Sequence, residues 1–291
     1  MVDHYVFITI NTFITDPLTH DFMRKALFMS SLVAAVCGFL SSFLTLKGWA
    51  LMGDAVSHSV MPGVVVAYAL GLPFSLGAFI FGVGSVALIG FVKQKSRVKE
   101  DTVIGLVFTG FFALGIVLIS KIKSNIDLHS ILFGSPLGIS LSDVKQTVFI
   151  SLLVVILLLV FRKDLMLYCF DPRHAKTVGI NVFFLHYLLL TCLSLAAVVG
   201  LQSVGIILVV AMLITPGATA YLLTDQFDNM TLISVFSAII SSVMGIYFSF
   251  WFDLETGGSI VLAQTSIFLF TFLFAPRYGI FKIKKLFSGY K

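Results

Sequence analysis

Charged side chains are scarce in this sequence. Only 11% of its 291 residues are Asp, Glu, Lys or Arg, whereas a soluble domain carries about 25%. Cysteine is also rare, and Cys37, Cys169 and Cys192 are scattered without CxxC spacing. We therefore expect the cysteines to pack in the interior rather than form a disulfide or a thiolate metal site. The shortage of charge excludes a soluble fold.

The sequence also lacks the common motifs of enzymes. The phosphate-binding pattern GxxxxGK[ST], the zinc-protease pattern HExxH and the serine elbow GxSxG do not occur. An intramembrane aspartyl protease is disfavoured as well, because the GxGD pattern before Asp54 fails at Leu51. We expect no catalytic residues and no nucleotide-binding site, and an intramembrane enzyme is the least favoured function.

Long apolar runs dominate what is present. Hydrophobic residues make up 58% of the chain, and the mean hydropathy is +1.06. A helix rises 1.5 Å per residue, so about 20 apolar residues cross a hydrocarbon layer of roughly 30 Å. Nine stretches qualify: 26–46, 50–70, 73–92, 102–120, 144–161, 181–199, 203–223, 230–252 and 258–275. The sequence predicts an all-α, polytopic transmembrane bundle of eight or nine spans, in a single domain over residues 1–291.

One of these stretches, 203–223, is less regular than the others. Thr215, Pro216 and Gly217 interrupt it, and a proline inside a helix removes one backbone hydrogen bond and bends the helix. Such breaks are tolerated in a membrane where protein or a water-filled path covers the freed backbone groups. We therefore predict a helix break near a transport pathway here, and eight spans if this stretch does not cross.

The basic residues orient the predicted bundle. They gather in the loop at 93–99, in the loop at 162–176 and in the tail after Arg277. Because positive loops stay on the cytoplasmic side, the carboxyl terminus is expected inside. Alternation then places the amino terminus outside, although Arg24 and Lys25 favour the opposite side for it.

Two ionisable side chains stand within the apolar stretch 50–70. Asp54 and His58 are four residues apart and would share one face of a helix. Such groups cost roughly 2.5 to 3.5 kcal/mol each at membrane depth, so their presence needs a reason. A carboxylate with an imidazole suits Mn, Fe(II) or Zn, while waters, backbone carbonyls or a second copy of the helix would complete the site. The alternative is a hydrogen-bonded pair that only stabilises the bundle.

The other histidines are weaker candidates for metal ligands. His129 lies in a Gly- and Pro-bearing stretch that we expect outside the membrane core or at its interface. His174 belongs to a cytoplasmic loop, where we expect it to be solvated, and His186 stands alone among apolar residues, where packing is the usual role. None of the three is predicted to bind metal.

The chain resembles the metal-type permeases of ATP-binding-cassette (ABC) importers, which carry manganese, zinc or chelated iron across bacterial membranes. Two phrases carry the resemblance: Leu51-Met52-Gly53-Asp54-Ala55-Val56-Ser57-His58-Ser59 and Leu213-Ile214-Thr215-Pro216-Gly217-Ala218-Thr219-Ala220. The segment 127–136 is most similar to the manganese and chelated-iron subgroup. The resemblance implies that Asp54 and His58 form a metal-contacting gate, with Mn, Fe or Zn as cargo and no permanently bound cofactor.

The resemblance also implies partners. The segment 170–179 is similar to the family's coupling helix, which docks on a cytoplasmic ATP-binding subunit through residues that include Ala175. Local signals independently predict a short helix there, because Asp171 suits its cap, Pro172 its first position and Gly179 its end. An ordinary cytoplasmic connector is the alternative interpretation of the same signals.

The implied assembly lies in the bacterial inner membrane. It adds an extracytoplasmic metal-binding protein and a second permease, either an identical copy or a related chain. The rival function is an ATP-independent secondary transporter or channel for a divalent cation, which would use similar ligands within the membrane.

Overall fold

The computed structural model describes residues 15–121, 141–275 and 279–280, and most of them are helical. After a short helical turn at 15–19, the helices are α1 (Asp21–Lys47), α2 (Ala50–Ser59), α3 (Met61–Ala69), α4 (Phe74–Lys95), α5 (Glu100–Lys121), α6 (Leu141–Val160), α7 (Arg162–Phe170), α8 (Pro172–Thr177), α9 (Val182–Val204), α10 (Ile206–Leu223), α11 (Phe227–Phe252) and α12 (Thr256–Phe274). The predicted all-α bundle is confirmed.

Within the described ranges, six helices are long and apolar enough to cross a membrane: α1, α4, α5, α9, α11 and α12. Helices α6 and α7 meet at 71° and add a seventh span if they are counted together. This is fewer than the eight or nine spans predicted. The difference arises because the stretch 50–70 divides into α2 and α3, while the stretch 203–223 yields only the shorter α10.

The division between α2 and α3 has a local cause in the sequence. Pro62 lies in the first turn of α3 and has no N–H to donate to the carbonyl four residues earlier, that of His58. Val60, between the two helices, keeps right-handed helical dihedrals of φ −69° and ψ −27°. The division is therefore an interruption of hydrogen bonding and not a reversal of the chain.

Helix α1 lies at the centre of the bundle and packs closely on α10 and α11. A side chain at Gly38 would begin 3.0 Å from the Cβ of Ala238, so glycine lets α1 and α11 approach. Hydroxyl groups follow the same contact: Ser234 donates to the Gly38 carbonyl at 2.6 Å, and Thr231 donates to Ser42 at 3.3 Å. Small residues and interhelical hydrogen bonds are how helices associate in a lipid environment.

The three cysteines are free and buried. Cys37 and Cys192 have no exposed surface, and Cys169 is 4% exposed. They pack in the interior, as the sequence predicts.

Contacts between helix ends show which ends lie together at each end of the bundle. Arg162 in α7 forms an ion pair with Asp228 at the start of α11, and Lys47 at the end of α1 donates to the Tyr168 carbonyl of α7 at 3.3 Å. At the other end of these helices, the rings of His20 and Phe250 lie 6.0 Å apart. The start of α1 therefore lies at the opposite end of the bundle from the basic residues at 162–176.

Candidate functional site

Asp54 and His58 lie on one face of α2, as their spacing predicts. The Nε2 atom of His58 is 3.3 Å from Oδ1 of Asp54, close enough for both groups to contact the same ion. Their side chains are 34% and 19% exposed, whereas neighbouring Met52, Ala55 and Val56 are buried. The pair therefore opens toward the outside of the single chain, where water or another chain has access.

Two phenylalanines of α5 fix the orientation of the imidazole. The rings of Phe108 and Phe112 meet the His58 ring edge-on or nearly so, with centroids 5.0 and 5.4 Å away. The Nδ1 atom of His58 is buried and has no hydrogen-bond partner among the residues that the structure describes. Because Nε2 faces Asp54, Nε2 and not Nδ1 is placed to share an ion with the carboxylate.

Ser57 and Ser59 of α2 make their hydrogen bonds inside the protein. Ser57 donates to the Gly53 carbonyl at 2.8 Å, and Ser59 lies 2.7 Å from the hydroxyl of Ser85 in α4. Since these hydroxyls are buried and occupied, they stabilise the packing of α2. The Asp54–His58 pair is the part of α2 that offers donor atoms outward.

Two donors do not complete a metal site. Within residues 15–121 and 141–275, no group of three or more His, Cys, Asp or Glu side chains is placed to hold one metal ion. Ions such as Zn²⁺ take four ligands, and harder divalent ions take about six. Any ion at Asp54 and His58 must therefore draw its further ligands from water, backbone carbonyls or another chain.

The structure places Thr215, Pro216 and Gly217 inside α10, which continues through the proline. Ser41 of α1 compensates for the disturbed backbone: its hydroxyl accepts the Gly217 N–H at 2.8 Å and donates to the Ile214 carbonyl at 3.2 Å. A β-carbon on Gly217 would lie 2.4 Å from the Ser41 carbonyl oxygen. This segment is thus packed against α1 rather than beside the Asp54–His58 pair.

Helix α10 nevertheless contacts the helix that carries the pair. A β-carbon at Gly53 would lie 3.3 Å from the Cβ of Leu213, so the absence of a side chain lets α2 rest on α10. Leu213 is one helical turn before Gly217. Neighbouring turns of α10 therefore support α2 and α1.

The segment 170–179 contains the predicted short helix, α8. The Asp171 carboxylate caps it by accepting the backbone N–H groups of His174 at 3.1 Å and Arg173 at 2.9 Å. The bond from His174, followed by that from Arg173, holds the pKa of Asp171 below its ordinary value. Pro172 is the first helical residue, and Gly179 follows the helix with a φ of 89° that favours glycine.

The surface around α8 is unusually apolar for a loop. Phe170 is 77% exposed and Val178 is 60% exposed, while Ala175 is buried against the rest of the chain. Arg173 and Lys176 are exposed on the same short helix. The combination of bare apolar side chains with basic ones is typical of a protein-binding surface.

Three further histidines were considered as ligands from the sequence: His129, His174 and His186. His174 is exposed on α8, and His186 in α9 lies 2.9 Å from the Tyr168 hydroxyl, a packing role of the kind predicted. His129 lies outside the described residues. Phe108 and Phe112 were not identified from the sequence. Their signal in the sequence is a spacing of four residues, which places both on one face of α5, as the same spacing places Asp54 and His58 on one face of α2.

Comparison with known proteins gives a consistent result. Residues 19–275 match the model of the ABC 3 transport family. The chain is 53% identical to the manganese transport system membrane protein MntB of Synechocystis sp., over 92% of this chain and 87% of that protein. It is 46% identical to the chelated iron transport system membrane protein YfeD of Yersinia pestis, over 90% of this chain and 88% of that protein.

A solved structure agrees with these relatives. PsaBC from Streptococcus pneumoniae, determined in complex with a Fab, superposes with a TM-score of 0.86 at 40% identity. The superposition covers 95% of this chain and all of the matched chain. The structural similarity therefore extends over nearly all of this chain.

Proposed function

The chain belongs to the ABC 3 transport family, and from that premise we propose that it is the permease subunit of an importer for a divalent metal ion. The relatives named for manganese and chelated-iron transport support Mn or Fe as cargo in preference to Zn. A separate cytoplasmic ATPase supplies the energy, and an extracytoplasmic protein delivers the ion. The assembly lies in the bacterial inner membrane.

One observation carries this proposal: a carboxylate and an imidazole 3.3 Å apart on an apolar helix, open to the outside of the chain. The bland alternative is a structural hydrogen bond between them. A structural pair would gain most from full burial, whereas the Asp54 side chain keeps 34% of its surface exposed. The exposure favours a role in contacting an ion.

The Asp54–His58 pair holds only part of the ion's coordination. We propose that a second permease, identical or related, brings its own pair to the same ion, with water as a further ligand. A site divided between two chains opens when the chains separate, and weak sites are what conduction requires because an ion must also leave. Affinity then resides mainly in the external binding protein.

The ATPase docks on α8. Support comes from the two bare apolar side chains beside it, Phe170 and Val178, and from the cap at Asp171 that keeps the helix formed. Two basic residues on the helix, Arg173 and Lys176, offer partners to acidic groups in a groove. ATP binding moves α8, and the bundle alternates between outward and inward access.

The test of the gate is metal uptake by variants of the Asp54–His58 pair. Asp54→Asn and His58→Gln keep size and polarity but remove the charge or the imidazole. We expect Mn²⁺ uptake to fall by more than about tenfold in each variant. Removal of groups that merely orient metal ligands already costs about tenfold, and these variants remove the proposed ligands themselves. The amount of permease in the membrane must stay at the wild-type level.

Asp21→Ala is the matched control, because Asp21 forms only an exposed ion pair with Arg24 near the start of α1. Such surface pairs contribute little, so wild-type uptake is expected. Wild-type uptake in both Asp54→Asn and His58→Gln would refute the gate.

A second experiment separates the proposal from an ATP-independent transporter. Liposomes that contain the permease with its ATPase, supplied with the external binding protein, should take up Mn²⁺ only when ATP is present. Liposomes that contain the permease alone should take up none under an imposed ion gradient. Uptake by the permease alone would favour a secondary transporter or channel.

A further inference from the structure

Tyr168 of α7 is held by residues of two other helices. Its side chain is 3% exposed. The Lys47 ammonium, at the end of α1, donates to the Tyr168 carbonyl at 3.3 Å and lies 4.0 Å from the centre of the tyrosine ring. The tyrosine hydroxyl is 2.9 Å from Nδ1 of His186 in α9. The ring is held by the ammonium and by the hydroxyl contact, and the backbone of Tyr168 is held by the carbonyl bond, so Tyr168 is joined to both α1 and α9.

Lys47 is joined to the helix that carries the metal pair by a tight turn. The N–H of Trp49 bonds to the Leu44 carbonyl at 2.8 Å, and the N–H of Gly48 bonds to the Thr45 carbonyl at 3.1 Å. With Gly48 at a φ of 74°, these bonds form the Schellman arrangement that ends α1. Helix α2 begins at Ala50, so the end of α1 and the start of α2 move as one piece.

Trp49 adds a second contact to the same group. It is 8% exposed, and its ring meets the His186 ring edge-on at 5.3 Å. The start of α2 therefore rests on His186, which also contacts Tyr168. Lys47, Trp49, Tyr168 and His186 form one cluster, which we call the Tyr168 cluster.

Tyr168 also lies close along the chain to α8, the proposed docking helix. The Asp171 N–H bonds to the Leu167 carbonyl at 2.9 Å, so α7 continues into the residue that caps α8. Tyr168 lies one residue after Leu167, within the last turn of α7. A force on α8 reaches this turn through the backbone.

Space for movement exists beside the cluster. A cavity of about 320 Å³ is lined by Met52 of α2, by Tyr168, by His186 and Tyr187 of α9, and by Lys93 of α4. Protein interiors are packed at the density of organic crystals, so a helix can shift only where such a space is present. The cavity lies on the side of α2 that Met52 occupies, two residues before Asp54 in the chain.

We propose that Lys47 and Tyr168 are positioning residues that transmit the movement of α8 to α2, and so couple ATP hydrolysis to the opening of the Asp54–His58 pair. Neither residue contacts the ion. The inference rests on the proposed function, since it requires an ATPase docked on α8.

The test uses the complete complex in liposomes: permease, ATPase and external binding protein. Lys47→Met removes the ammonium but keeps the length of the side chain, and Tyr168→Leu removes the ring. Mn²⁺ uptake and ATP hydrolysis are measured in the same sample. We expect the number of ions moved per ATP hydrolysed to fall about tenfold, within the range of typical coupling between sites. ATP hydrolysis and co-purification of the ATPase should persist.

A purely structural role would not give this pattern, because it would lower assembly, hydrolysis and uptake together. Lys47→Arg is the rescue variant: a guanidinium also donates to a carbonyl and stacks on an aromatic ring, so the ratio should return toward the wild-type value. Lys93→Met is the matched control, since Lys93 lines the same cavity from α4. It should leave the ratio unchanged.

The inference is overturned if Lys47→Met and Tyr168→Leu keep the wild-type ratio, or if Lys47→Arg is as uncoupled as Lys47→Met. Tyr168→Phe removes only the hydroxyl and replaces Tyr168→Leu if that variant does not assemble. The number of ions moved per ATP should then fall by a smaller factor. An unchanged number would contradict the role of the His186 contact. The proposed function fails differently, when the wild-type complex itself moves no Mn²⁺.

Discussion

Helices α1 and α5 are both long and apolar, yet they have opposite surroundings. In the apolar stretch of α1 72% of the residues are buried, and in that of α5 only 22% are. Helix α5 nevertheless has the higher mean hydropathy, 2.5 against 2.0. Side chains that face lipid gain from being apolar, whereas helices that pack together need small and hydroxyl-bearing residues. Gly38, Ser41 and Ser42 provide these in α1. Hydropathy therefore identifies a span, while small residues identify the packed side of the bundle.

The largest difference between the two regions is expected when one methyl group is added to each. A β-carbon on Gly217, where α10 meets α1, would lie 2.4 Å from the Thr45 hydroxyl, whereas one on Gly110 in α5 would meet nothing within 4 Å. Gly217→Ala should lower the free energy of unfolding by about 1 to 3 kcal/mol through overpacking. Gly110→Ala should be neutral or raise it by up to about 1 kcal/mol, because alanine is the better helix former.

Apparent midpoints of thermal unfolding, measured for both variants in the same detergent, provide the check. Equal midpoints would mean that the contact between α10 and α1 tolerates a methyl group as well as α5 does, and the contrast between packed and lipid-facing helices would be lost.

A smaller change removes one hydroxyl from each helix. Ser41→Ala deprives the Gly217 N–H of its 2.8 Å partner, and Ser120→Ala removes a hydroxyl of α5 that bonds to the Val117 carbonyl at 2.7 Å. We expect Ser41→Ala to cost about 1 kcal/mol, because a buried donor is left unpaired. Ser120→Ala should stay within about 0.5 kcal/mol, as exposed substitutions do. A larger loss for Ser120→Ala, by the same unfolding midpoint, would contradict this ranking.

The smallest effect is expected outside both helices, at the water-exposed cap of α8. The pKa of Asp171 is lowered by the backbone N–H groups of His174 and Arg173. Its carboxylate therefore adds stability above the pKa of the unfolded chain, and that contribution is lost as the pH falls through the folded pKa. Asp171→Asn keeps a capping oxygen but does not titrate.

The unfolding midpoints of the wild type and of Asp171→Asn are compared from neutral to acidic pH. The advantage of the wild type should shrink as the pH falls through the range of aspartate titration. Parallel curves over that range would show that the cap at Asp171 carries no charge-dependent stability.

Local patterns predicted part of this molecule well. The spacing of Asp54 and His58 fixed their common face, because a helix repeats every 3.6 residues. Asp171 and Pro172 also predicted α8 from local sequence, because caps and first-turn prolines act within one turn. The all-α bundle followed from hydropathy alone.

Contacts between distant parts of the chain were not predictable. Ser41 and Gly217 are 176 positions apart, and Lys47 and Tyr168 are 121 positions apart, so no local pattern links them. Phe108 and Phe112 carry a local signal, yet it is hidden among 30 phenylalanines. Pro62 was visible too, but its effect depends on whether neighbouring groups bond to the disturbed backbone, as Ser41 bonds to the Ile214 carbonyl and the Gly217 N–H beside Pro216.

The bare side chains of Phe170 and Val178 have a consequence for synthesis in the cell. Phe170 is 77% exposed and Val178 is 60% exposed in the single chain, and under the proposed function both stay uncovered in a permease made without its ATPase. Exposed apolar patches attract chaperones and proteases and promote aggregation. If α8 is the docking site that we propose, copies made without the ATPase are expected to be removed by quality control.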